Sequence, residues 1–103
     1  MSKKREPGAD VIKDDGRVGS LCVSLAGHDA GLILVIVGGA GGDCVYVADG
    51  KTRKLSSPKL KKTKHISILD RLSQKTCEEI AAGKATDSLL RREINRFIGE
   101  RLN

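Results

Sequence analysis

The chain contains one stretch that tightly limits its fold. "LILVIVGG", residues 32–39, is a continuous β-branched and leucine run closed by two glycines. Six apolar residues in a row are too few for a helix that must cover a core, but they suit a strand buried on both faces. The run follows "AGHDAG", where two glycines flank a His-Asp pair. It leads into "GGAGGD", residues 38–43, which reads as another turn.

Further strand-like segments flank this run. "RVGSLCVSLAG" precedes it with imperfect alternation of Val18, Leu21, Cys22, Val23 and Leu25. "DCVYVADG" follows with Val45, Tyr46 and Val47. Its Asp49-Gly50 pair predicts a tight hairpin turn into a fourth strand, "KTRKL", because both central positions of a type I′ turn need positive φ. A lysine-rich connector after Pro58 leads to a fifth strand, "HISILD", at 65–70. Five short strands with tight turns predict a small barrel or a strongly curved sheet. No connection is long enough for the crossover helix that a parallel sheet needs.

The pattern becomes helical after residue 71. Thr76 and Glu79 fit a capping box for a short helix to Ala82, which Gly83 ends. Thr86 or Asp87 caps a second helix over 87–102, where Leu90, Ile94, Phe97, Ile98 and Leu102 form one apolar stripe. The expected organisation is a mobile tail at 1–16, a mainly β unit at 17–70 and a helical extension at 71–103. In 103 residues this is a single modest core.

Several kinds of chemistry find no support. His28 and Asp29 are adjacent, so they rarely point at one substrate atom, and neither has a nucleophile partner. "GHDAG" precedes a strand rather than a helix, so it is no phosphate cradle. "GGAGGD" also precedes a strand, whereas a dinucleotide fingerprint needs strand, turn and helix. Cys22, Cys44 and Cys77 are odd in number and widely spaced, which suits reduced thiols rather than disulfides or zinc. The N-terminus lacks the apolar segment of a signal peptide, and no apolar run is long enough to span a membrane. The expectation is a cytoplasmic protein with no catalytic residue, no metal, no cofactor and no small-molecule substrate.

Charge carries the functional signal. Nineteen Lys and Arg against thirteen Asp and Glu give a net charge of +6, which suits a polyanionic partner. "KTRKLSSPKLKKTK", 51–64, concentrates Lys51, Arg53, Lys54, Lys59, Lys61, Lys62 and Lys64 with no acid. A one-signed run repels itself on a small domain unless an anion lies against it. Only one Tyr and one Phe occur, with no Trp, so aromatic stacking on splayed bases is not a main binding device. Structured RNA, contacted through phosphate and shape, fits this composition.

"VGSLCVSLAGHDAGLILVIV", together with "DCVYVADGKTRKLSSPKLKKTKHI", resembles a KOW motif: a Gly-led strand, a G-x-D-x-G turn and an apolar strand. The chain is similar over about half its length to KOW domains of ribosomal large-subunit proteins of the fourteen-e type. It is similar also to small bacterial KOW-domain RNA-binding proteins. The resemblance implies an SH3-like five-strand barrel that binds ribosomal RNA or sits in a ribonucleoprotein, without enzymatic activity. Gly27, Asp29 and Gly31 match the KOW turn, with His28 inside it. Lys51, Arg53 and Lys54 match the basic strand, and Lys59, Lys64 and His65 match the "PK…KH" segment. Relatives commonly carry basic residues at the positions of His28 and Ala30, so the binding charge is expected on 51–64, including Lys61 and Lys62. The alternative is a protein-interaction adaptor for ribosomal or transcription proteins, docking through the C-terminal helix.

Overall fold

A computed structural model describes residues 16–102. The tail expected at 1–16 lies outside the described residues, apart from Gly16. The element order is β1 (Ser20–Ser24), β2 (Ile33–Gly39), β3 (Cys44–Ala48), β4 (Lys59–Lys62), a 3-10 turn (Thr63–His65), β5 (Ile66–Arg71), α1 (Gln74–Ala81) and α2 (Asp87–Leu102). The strands form one antiparallel sheet in the order β4-β3-β2-β1-β5. Each consecutive pair in that order is a hairpin or a return, so no crossover is needed.

The apolar run became a strand covered on both faces, as its continuity required. Leu34 and Ile36 join Cys22, Val45, Val47 and Ile66 in one apolar cluster. Val35 points the other way, with Leu21 and Ala48, into a second cluster completed by Cys77, Ile80, Leu90 and Ile94 of the helices. Leu34, Val35 and Ile36 are all fully buried. Each such side chain contributes about 1.5–3 kcal/mol of transfer free energy. The helices therefore cover one face of the sheet, while its other face curls over the cluster of Cys22, Leu34, Ile36, Val45, Val47 and Ile66.

That curl follows from connectivity. β4 and β5 are the two edges of the sheet, yet only Thr63–His65 separate them in sequence. The sheet must coil until its edges meet at this corner. Register shifts between Ile36 and Gly38 on β2, and between Leu21 and Cys22 on β1, mark local bulges. Bulges increase twist and bend a strand, which helps the sheet curl. No ladder joins β4 to β5, so the sheet is strongly curved but not closed into a barrel.

Four local expectations are corrected. Asp49-Gly50 is not a two-residue hairpin turn, and "KTRKL" is not a strand. Residues 49–58 form one long loop instead. The Asp49 carboxylate accepts hydrogen bonds from the backbone N–H of Lys51 (2.9 Å) and Arg53 (2.7 Å), so it organises a wider loop than a type I′ turn would. The fourth strand lies further on, at Lys59–Lys62, within the segment read as a connector. Gly38 and Gly39 belong to β2, so the turn into β3 is shorter than "GGAGGD" suggested. Finally, α1 is capped by Ser73 rather than Thr76: Ser73 Oγ accepts from the Thr76 N–H at 3.2 Å.

The C-terminal helix spans the expected 87–102, with Thr86 Oγ1 accepting from the Leu89 N–H. Its stripe is used within the chain. Leu90 and Ile94 are buried against the sheet and Phe97 is half-buried, while Ile98 remains 37% exposed.

Candidate nucleic-acid interface

The glycine turn and the basic segment are parts of one structure. Between β1 and β2 the chain reverses through 25–32, with Gly31 N–H donating to Ser24 O at 2.8 Å and Leu32 N–H to Asp29 O at 2.8 Å. Gly27 and Gly31 adopt φ of +80° and +88°, values that side-chain-bearing residues rarely take. His28 is exposed, but Asp29 is buried. The Asp29 carboxylate lies 3.4 and 3.5 Å from a single nitrogen, Nη2, of Arg53. The turn is thus held by a cation from the basic segment.

A second cation holds it from the other side. In the β3–β4 register Lys61 stands opposite Val45 and Lys59 opposite Val47, on the face that carries the inner apolar cluster. Lys61 is only 8% exposed, and its ammonium donates to Ala26 O at 2.9 Å. An inward lysine on an edge strand also discourages pairing with another chain. The same ammonium lies near Cys22. Burial pushes the Cys22 thiol up from its ordinary 9.0 to about 11, while the Lys61 charge pulls it the other way.

The eight cationic or His residues expected to bind RNA therefore separate. Arg53 and Lys61 are internal fasteners of the turn. His65 is half-buried, and its carbonyl accepts from the Leu25 N–H at 2.8 Å. Lys51, Lys54, Lys62 and Lys64 are exposed, and Lys59 is half-buried. Among the described residues none of these five ammonium groups has a hydrogen bond or an ion pair.

The four exposed lysines fall into two clusters. Lys51 and Lys54 border a groove of about 740 Å³ between the loop after β3, residues 31–33 and α2. Lys62 and Lys64 border a smaller depression of about 520 Å³ with Asp43 and Thr63. The first cluster follows the last residue of β3 and the second adjoins its first. The two ends of β3 are four residue steps of about 3.3 Å apart, about 13 Å of strand.

Arg91 belongs to the first cluster, although it lies outside the apolar stripe of α2. Its guanidinium donates to Gly50 O at 2.6 Å. The loop is seated on α2 at two further points. The Leu55 N–H donates to Asp87 Oδ1 at 2.8 Å, and Gly50, at φ +79°, lies so close to Asp87 that a Cβ would overlap its backbone. The Asp-Gly pair is therefore needed for this close approach rather than for a hairpin. Its long-range partner is invisible in a local pattern.

Among the described residues, no three His, Cys, Asp or Glu side chains gather in a way that could hold a metal ion. No helix there is long and apolar enough to cross a membrane. Compared with known proteins, the chain matches no family model and no curated protein.

Proposed function

We propose that this chain is a non-catalytic RNA-binding module of KOW type, built on a curved, SH3-like five-stranded sheet and acting in the cytoplasm on ribosomal or other structured RNA. The observation that carries the reading is the pair of outward lysine clusters at opposite ends of β3. A single phosphate does not reach both, whereas a chain of phosphates crosses them in succession. Support for the SH3-like form comes from the β4-β3-β2-β1-β5 order and the three-residue 3-10 link between the edge strands.

Counterion release makes the test direct. Affinity for a structured ribosomal RNA fragment should fall steeply as salt rises from 50 to 200 mM, with a log–log slope of about −0.7 to −0.9 per phosphate contact. Binding that is flat in salt contradicts the proposal.

A second reading, an adaptor for ribosomal or transcription proteins, has one observation in its favour. Tyr46 and Leu60 stand opposite each other on the outer face of β3–β4, 39% and 51% exposed. Its α2 stripe is largely occupied within the chain, so the sheet face is the surface to test. Leu60→Ser should then abolish partner capture and leave RNA binding intact.

A further inference from the structure

The groove beside α2 differs from a plain phosphate-tracking surface. Three cations, Lys51, Lys54 and Arg91, line it, yet Ile33, Ile94 and Ile98 line it too. Its lining contains one carboxylate, Asp49, which is buried and already accepts from two backbone N–H groups. Asn95 adds an exposed amide with both donor and acceptor capacity, and among the described residues it has no hydrogen-bond partner. A ligand that matches must be anionic at one end, apolar and broad at the other, and edged with hydrogen-bonding groups. A volume of about 740 Å³ lies in the range of sites that enclose small organic ligands, and it is far larger than a lone phosphate requires.

We propose that this groove receives one unpaired ribonucleotide of the bound RNA. Its phosphate lies against Lys51, Lys54 and Arg91, its base rests on Ile94 and Ile98, and its base edge meets the Asn95 amide. The inference rests on the RNA-binding reading and adds that the protein selects RNA with a bulged nucleotide. The aliphatic floor takes the place of the aromatic platform that the chain lacks. It also makes α2 part of the binding surface rather than a separate docking element.

Two labelled RNA hairpins, each closed by a non-nucleotide linker in place of a loop, test the inference by fluorescence anisotropy: one fully paired, the other identical except for a single bulged adenosine. The expected result is at least about tenfold tighter binding of the bulged hairpin. Asn95→Ala and Ile98→Ser, both at exposed positions, should remove that preference while leaving affinity for the paired hairpin unchanged. Arg91→Lys keeps the charge and should retain most of the preference, even if the loop loosens where the guanidinium held Gly50. Equal affinity for the two hairpins overturns the groove inference, as does a preference that survives both variants, and the RNA-binding reading stands in either case. Failure to bind either hairpin at 50 mM salt overturns both. Competitors separate the remaining occupants. Displacement of the bulged hairpin by micromolar free AMP, or by a glutamate-rich peptide at matching concentration, assigns the groove to that ligand and overturns the proposal.

Discussion

Lys61 and Lys62 are consecutive residues of β4, and their side chains have opposite surroundings. Lys61 points inward, is nearly buried and bonds to a carbonyl of the glycine turn. Lys62 points outward and is exposed. The same division runs through the whole basic segment. Arg53 and Lys61 clamp the turn, while Lys51, Lys54, Lys62 and Lys64 face outward. A run of like charges is therefore not one device. Alternation along β4, and the path of the loop before it, divide it between stabilising the fold and presenting charge to a partner.

Charge reversal at the two neighbours tests the division most severely. In Lys61→Glu, Ala26 O loses its donor and a carboxylate occupies a nearly buried position. A loss of about 3 kcal/mol or more is expected, lowering Tm by roughly 12 °C or more. Lys62→Glu should stay within about 0.5 kcal/mol of the parent. Thermal unfolding of the two variants checks both values. Equal shifts would show that β4 does not hold the register described.

Cys22 reports on the inner face through pH. Its folded pKa is raised from 9.0 to about 11, so the folded state favours the neutral thiol. The resulting stability is fully present below pH 9. Between pH 9 and 11 the unfolded chain loses its thiol proton while the folded chain keeps it, so stability falls as pH rises. The slope is on the order of 1 kcal/mol per pH unit. Denaturant unfolding of the parent and Cys22→Ala isolates this effect from the lysines. The gap between the two proteins should narrow through that window, and a gap constant with pH would place Cys22 in contact with water.

For the outward lysines the expected change lies in binding alone. Lys62→Gln with Lys64→Gln should weaken affinity for structured RNA about tenfold and flatten the log–log salt slope by about 1.4–1.8. Tm should not move. If affinity holds, only the cluster at the other end of β3 contacts RNA.

The division also explains what could be read from the sequence. β2 was legible because burial on both faces leaves an unbroken apolar run. α2 was legible because its stripe repeats over four turns. β4 was not, because its pattern is inverted: Leu60 faces out while Lys61 faces in. Alternation searches expect apolar residues on the buried side, so Lys59–Lys62 resembles a connector. Asp49-Gly50 was misread because a local hairpin signal cannot register Asp87, which lies on a distant helix and meets Gly50 only in the folded chain. Arg91 escaped for a related reason. Its helical position indicates solvent, and only the seated loop turns it toward a groove. The basic residues themselves were plain in the sequence, but their direction depends on a register that composition does not reveal.

The smallest expected effect tests the clamp from its acidic side. Asp29→Asn keeps the shape of the turn and removes its charge. The Arg53 side chain is 32% exposed, so water replaces part of the lost attraction and the penalty should be about 1 kcal/mol. Arg53 Nε is buried without a hydrogen-bond partner, so a guanidinium released from Asp29 has reason to swing outward. It would then join the exposed cations, and RNA affinity should hold or rise slightly as Tm falls. The opposite pairing, weaker RNA binding at unchanged Tm, would mean that the turn touches RNA itself and that the inward cations are not confined to stabilising the fold. Measuring both quantities on the same variant separates a clamp from a contact.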